Sequence, residues 1–169
     1  MAEKVGPLNG VRAVTCSTAQ AGTVPYMMMA DLGAEVIKVE VPGIGDGSRT
    51  AGELRGDISS FFETNNRGVK SITLNLKSEE GQKILHKLVE TADIFGQNFR
   101  PGAAEKNGFG YEELKKINPA LVYVSVSGYG QLGPHSDLPG TDAVGQALGG
   151  ISEAYAGPGE AMRTGVVSI

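Results

Sequence analysis

The chain has 169 residues, 40% of them apolar, with 25 glycines, 8 prolines and a formal net charge of −4. One core-forming domain over residues 1–169 is the expected organisation at this length, and no run of ~18 apolar residues offers a membrane span. The acidic balance gives no general attraction to nucleic acid or to an anionic membrane, so an anionic ligand has to be met by local basic groups.

The N-terminus, MAEKVGPLNG, carries neither an apolar signal core nor an Arg-rich amphipathic pattern, which makes the cytoplasm the expected location. Cys16 is the only cysteine. An internal disulfide is thereby excluded, and its place beside an apolar run reads as a buried small side chain with no catalytic role. Val11 to Thr15 reads as a short buried strand that stops at the small residues Ser17 to Gly22. A helix is expected from about Thr23. Pro25 is tolerated in its first turn, where its missing N–H has no intrahelical partner to lose. Met27, Met28, Ala30 and Leu32 are expected to face the core, and Gly33 to end the helix. In EVIKVEV, Ile37, Val39 and Val41 alternate with Lys38 and Glu40, the pattern of a strand with one face better covered than the other.

Pro42 to Gly68 shows no sustained periodicity and reads as a long loop of the kind that usually serves function. Ser71 to Leu76 alternates as a strand. Ser78 then caps a helix with Glu79 and Glu80 in its first turn, and Ile84, Leu85, Leu88 and Val89 form its buried stripe. His86 falls off that stripe and reads as a solvated surface residue. Ala92 to Phe95 is expected to be a strand and Tyr111 to Ile117 a helix. ALVYVSVSG, with Leu121, Val122, Val124 and Val126 on both faces, reads as a central strand of a parallel sheet. Strand and helix alternate throughout, so the fold class is α/β, a Rossmann-like, mostly parallel sheet with helices on both faces. A ligand is expected at the carboxyl ends of the strands.

Known nucleotide motifs are weak here. Gly43-Ile44-Gly45-Asp46-Gly47 follows the second strand, and the first strand-to-helix turn has only Gly22, which disfavours an NAD-binding domain. Two histidines and one cysteine offer no obvious zinc site, and there is no G-x-S-x-G elbow.

Four ordered blocks, ADLGAEVIKVEVPGIGDGSR, NNRGVKSITLNLKSEEG, NFRPGAAEKNGFGYEELKKINPALVYVSVSGYGQLGP and RTGVV, resemble the class III CoA-transferases, the family of the formyl-CoA, carnitine and benzylsuccinate CoA-transferases and of related acyl-CoA racemases. The resemblance covers nearly the whole chain and corresponds to the N-terminal part of such an enzyme's large domain. It implies transfer of coenzyme A from an acyl-CoA donor, such as succinyl-CoA, to an organic acid. An enzyme carboxylate attacks the thioester to give a mixed anhydride, released CoA thiolate converts this to an enzyme thioester, and the acceptor acid then takes the CoA. Coenzyme A is thus substrate, and no permanently bound cofactor is implied. A carboxylate is a weak nucleophile, so water must be excluded and oxyanions met by placed N–H donors; Gly128, Gly130, Gly149 and Gly150 are candidates.

Residue by residue, the resemblance assigns coenzyme A contacts to Gln20 and Ala21 in the first turn, to Leu74, Asn75, Leu76 and Lys77, and to Asn98, Phe99 and Arg100. Lys106 stands where the family often has Arg, a point charge in place of a bidentate fork. Asp142 stands at an acidic position near the reacting carbonyl. The chain departs from the pattern at Thr15, where an Asp is usual, at Thr23, where a Pro is usual, and at Val41, where a basic residue is common. The nucleophilic Asp is expected four or five residues after Gly165, and Val166, Val167, Ser168 and Ile169 do not supply it. No catalytic residue is therefore assigned, and the chain alone is expected to be inactive. Thr141 before Asp142 replaces the histidine of the racemase branch and disfavours racemisation. The alternative reading is a non-catalytic partner subunit of a heteromeric CoA-transferase. In either case a same-family subunit, in a homodimer or heteromer, is the implied partner.

Overall fold

The computed structural model describes residues 6–156 and 158–161, and the chain divides into two compact units between Val126 and Ser127. The first unit is built on a five-stranded, all-parallel sheet in the order β5-β2-β1-β6-β7. Its strands are β1 (Arg12–Thr15), β2 (Glu35–Glu40), β5 (Lys70–Thr73), β6 (Ile94–Gln97) and β7 (Val122–Ser125), and a two-stranded antiparallel hairpin, β3 (Leu54–Arg55) with β4 (Ile58–Ser59), stands apart from them. The helices are α1 (Val24–Asp31), α2 (Ser60–Asn66), α3 (Glu79–Val89), α4 (Ala103–Lys106) and α5 (Tyr111–Ile117).

Successive strand residues point to opposite faces, and the core follows that alternation. Val14, Val39 and Phe95 pack with Leu85 and Val89 of α3 and Leu114 of α5. Ala13 and Val36 pack instead with Tyr26 and Ala30 of α1. Helices therefore cover both faces, as the α/β reading requires. Helix α3 forms where a cap and a stripe coincide, with the Ser78 hydroxyl accepting from the Gly81 N–H at 3.2 Å and Leu85 and Val89 fully buried. Its stripe is narrower than expected, because Ile84 is 42% exposed.

Helix α1 begins after Thr23 and ends at Gly33, which has φ +103°. It buries Tyr26, Met27 and Ala30, while Met28 and Leu32, expected in the core, are 54% and 44% exposed. The sequence VPYMMMA is apolar all round, so periodicity could not select the face. What selects it is Gly96 of β6, where an added Cβ would lie 1.3 Å from the Tyr26 hydroxyl oxygen. Burial pushes that phenol up to about 12.

Three other expectations are corrected. The Pro42–Gly68 stretch is not simply a loop, since it holds a 3-10 turn (Gly47–Thr50), the hairpin and α2. Helix α2 escaped notice because SFFETNN has weak propensity; it is held by the Ser59 cap and by Asn65 and Asn66 side chains donating to the Phe61 and Phe62 carbonyls at 2.9 and 3.0 Å. Strand β7 lies at an edge of the sheet, and β1 is central. Apolar residues on both sides of a strand report what covers its faces, not its place in the hydrogen-bonding order. His86 is half-buried, and its Nε2–H donates to the Gly108 carbonyl at 2.9 Å.

The second unit contains α6 (Asp142–Leu148) and α7 (Ile151–Ala156). The amides of Gly149 and Gly150 donate to Gly145 and Ala147 carbonyls, so these two proposed oxyanion donors already have acceptors. No helix among the described residues is long and apolar enough to cross a membrane.

Candidate functional site

The carboxyl ends of β1, β2, β5 and β6 surround a cavity of about 300 Å3 in the first unit. Cys16 and Thr18 follow β1, Val39 to Val41 close β2, Leu74 to Lys77 follow β5, and Phe99 follows β6, with Asn107 and Phe109 completing the wall. The lining is mostly apolar. Its depth comes from packed aromatics, Phe99 on Phe109 at 5.6 Å and Phe109 on Phe95 at 6.2 Å, both edge-on. The Cys16 thiol is raised by burial and stays protonated, which agrees with a structural role.

The structure brings together Leu74, Asn75, Leu76, Lys77 and Phe99 around this one space. Asn98 serves the wall indirectly. Its Oδ1 accepts from the Thr18 N–H at 2.9 Å and its Nδ2 donates to the Thr18 carbonyl at 2.8 Å, tying the ends of β6 and β1 together. A Cβ at Gly22 would sit 2.5 Å from that amide nitrogen, so the glycine is needed for the close approach.

Gln20 and Ala21 lie in the same turn but do not line the cavity. The Gln20 carbonyl accepts from the Thr23 and Val24 N–H groups and starts α1, while its side-chain Oε1 is buried without a hydrogen-bond partner among the described residues. Arg100 and Lys106 are exposed and, like Lys77, enter no ion pair among the described residues. Asp142 opens α6 in the second unit and accepts from Gln146 Nε2 at 2.7 Å. The position expected for the nucleophile lies outside the described residues. Among those residues, no group of three His, Cys, Asp or Glu could hold a metal ion.

Sequence reasoning missed the charged cluster beside this cavity. Lys38 is 1%, Glu40 4% and Asp46 1% exposed. Lys38 Nζ pairs with Asp46 and donates to Asn66 Oδ1 at 2.7 Å. Asp46 also accepts from the N–H and hydroxyl of Ser48, both at 2.8 Å, and from the Ala19 N–H at 3.2 Å. Arg49 grips Glu40 through Nε and Nη2 at 2.8 and 2.7 Å, and Ser71 Oγ and the Asp46 N–H donate to the same carboxylate at 2.6 and 2.8 Å. The Phe62 ring of α2 is near both cations, its centroid 3.8 Å from the Arg49 guanidinium and 5.4 Å from Lys38 Nζ.

Burial disfavours charge at each of these groups. At Glu40 the hydrogen bonds from Arg49, Ser71 and the Asp46 N–H outweigh it and hold the carboxyl down to about 2. Asp46 is likewise lowered, its burial offset by Lys38 and Ser48. Lys38 is lowered by burial, which Asp46 only partly offsets. The signal that could have found the cluster is GDGSR itself, whose acid and cation answer the Glu40 and Lys38 of the preceding strand.

The family model for CoA-transferase family III matches residues 8–169. The chain belongs to CoA-transferase family III. It is 43% identical, over 99% of its length, to the acetyl-CoA:oxalate CoA-transferase of Acetobacter aceti, and 42% identical, over 96%, to the human succinyl-CoA:glutarate CoA-transferase. Among solved structures, a CAIB/BAIF family protein from Brucella suis superposes with a TM-score of 0.90 at 38% identity over 96% of the chain. The chain spans 43% and 37% of the lengths of those two relatives and 44% of the Brucella chain. The cavity and its charged neighbour lie within the residues matched by the model for CoA-transferase family III.

Proposed function

We propose that the chain is the coenzyme A-binding part of an enzyme that moves CoA between carboxylic acids, with residues 1–169 forming the N-terminal part of its Rossmann-like large domain. The observation that carries this is the cavity at the strand ends. Five residues that the resemblance assigns to coenzyme A, Leu74, Asn75, Leu76, Lys77 and Phe99, share its wall. An apolar slot of this size suits a flat ring system such as adenine, and Lys77 stands at the wall to meet a phosphate as a point charge.

In the proposed reaction a carboxylate oxygen bonds to the thioester carbonyl carbon, the C–S bond breaks, and CoA leaves as thiolate. The thiolate then attacks the enzyme side of the mixed anhydride, releasing the donor acid and leaving CoA on the enzyme carboxyl group. Attack by the acceptor acid and return of the thiolate complete the exchange without oxidant or metal. We assign the nucleophile to no described residue, so the expected behaviour of the 169-residue chain alone is binding without turnover. A same-family partner subunit and a cytoplasmic setting belong to the same proposal and rest on the resemblance and the sequence pattern alone.

The test is calorimetric titration of the chain with CoA, followed by incubation with succinyl-CoA and a panel of organic acids read by mass spectrometry. CoA binding without a new thioester or an acyl-enzyme is the predicted result. Absence of CoA binding would count against the proposal, and a trapped acyl-enzyme would show that a residue of this chain is the nucleophile.

A further inference from the structure

Ala19 is the single non-glycine residue with positive φ among the described residues, at +59°. A left-handed alanine is unfavourable unless its surroundings fix it. Two side chains from other loops do so. Asn98 holds Thr18, the preceding residue, at both its N–H and its carbonyl. Asp46, 27 positions further along the chain, accepts the Ala19 N–H with both carboxylate oxygens at 3.2 Å. Thr23 Oγ1 donates to the Ala19 carbonyl from within the turn. The Asp46 carboxylate is itself held by Lys38 and Ser48, and Lys38 is held by Asn66 of α2.

We propose that Asp46, braced by Lys38, is a positioning residue that locks the Thr18–Gln20 turn in its left-handed form, thereby setting the cavity wall at Thr18 and the direction of Gln20. This role presupposes coenzyme A as the ligand of the cavity. By accepting the Ala19 N–H, the Asp46 carboxylate ties the loop after β2 to the turn after β1, while its ion pair with Lys38 anchors that loop to β2; Asn98 ties in the loop after β6. Three strand ends are thus fixed in one arrangement before any ligand arrives, which reduces the ordering that binding has to impose.

The pair of variants that tests this keeps Lys38→Met constant, removing the buried cation, and changes only the acceptor. With Lys38→Met and Asp46→Asn, an amide oxygen remains for the Ala19 N–H. With Lys38→Met and Asp46→Leu, that acceptor is gone while the site stays filled, an exchange that buried ion pairs often tolerate. Two readouts are taken on the full chain, hydrogen exchange at the Ala19 amide and calorimetric CoA affinity. The leucine variant should accelerate Ala19 exchange and weaken CoA binding by ~10-fold or more, while the asparagine variant stays within ~3-fold of wild type in both. Should the leucine variant not fold, Asp46→Ser, whose hydroxyl is too short to reach Ala19, takes its place. Unchanged Ala19 exchange in the variant without an acceptor, or equal impairment of both variants, would overturn the proposal. If the wild-type chain binds no CoA, the ligand assignment fails, and the Ala19 exchange still decides whether Asp46 holds the turn.

Discussion

Strand β2 carries two different chemistries on its two faces. On one, Ile37 and Val39 join the apolar core under α3 and α5, and Val39 continues into the cavity wall. On the other, Lys38 is as deeply buried as Val36, yet it stays there only because Asp46 and Asn66 neutralise and hydrogen-bond it. The apolar face makes space that a ligand can enter, and the charged face makes a scaffold that keeps the loops around that space in place. Burial alone does not distinguish the two; the distinction lies in what each face loses when one partner is removed.

The largest effect is therefore expected on the charged face. Asp46→Ala leaves the Lys38 ammonium buried without its counter-ion and should lower stability by about 3–5 kcal/mol in a denaturant titration. On the apolar face, Leu85→Ala removes a fully buried side chain from the cluster that holds Val39 and should cost about 2–5 kcal/mol, whereas Ile84→Ala next to it, 42% exposed, should cost under ~1 kcal/mol. Equal effects at Leu85 and Ile84 would show that α3 packs differently.

The faces should also differ in acid. Glu40 is held down to about 2 and Asp46 is lowered, so both carboxyls bind protons more readily in the unfolded chain than in the folded one. Their contribution is complete above the ordinary carboxylate range near pH 4–5 and is lost as the pH falls through their folded values, about 3 kcal/mol from Glu40 alone by pH 2. A melting-temperature series from pH 7 to pH 2 checks the sign, and Glu40→Gln should flatten its acid limb.

Smaller effects are expected at the cavity itself. Phe99→Ala removes one aromatic wall and should weaken CoA binding by ~10-fold while changing stability less than Leu85→Ala does. Val41, 56% exposed at the rim, stands where the resemblance led to the expectation of a base. Val41→Arg should tighten CoA binding only a few-fold, by under ~1 kcal/mol, and the gain should vanish in high salt because the added charge is exposed.

These contrasts also explain what the sequence could reveal. Helix α3 was legible because cap, acidic first turn and stripe agree within Ser78 to Val89, with no distant residue needed, and α5 because it follows the turn residues Asn107 to Gly110. The edge that holds the cavity was legible from strand and helix alternation, and the family from its four blocks. Lys38, Glu40 and Asp46 were not legible as a buried cluster, because alternation marks charged positions as solvent-facing and their partners come from a stretch without periodicity. Helix α2 was lost for the same reason, its stability coming from Asn65, Asn66 and Ser59 and not from propensity. Gln20 and Asn98 were singled out by resemblance, but that Asn98 holds Thr18 is visible only in the folded structure.

Coenzyme A is proposed to occupy the space between Leu74–Lys77 and Phe99. The most direct test of this placement is to titrate the isotopically labelled chain with CoA and follow backbone amide shifts by NMR. Saturable changes are expected at Thr18, Leu76, Lys77 and Phe99, with the opposite end of the sheet around Asn9 to Arg12 unmoved. No perturbation at millimolar CoA, or changes confined to that opposite end, would contradict the placement.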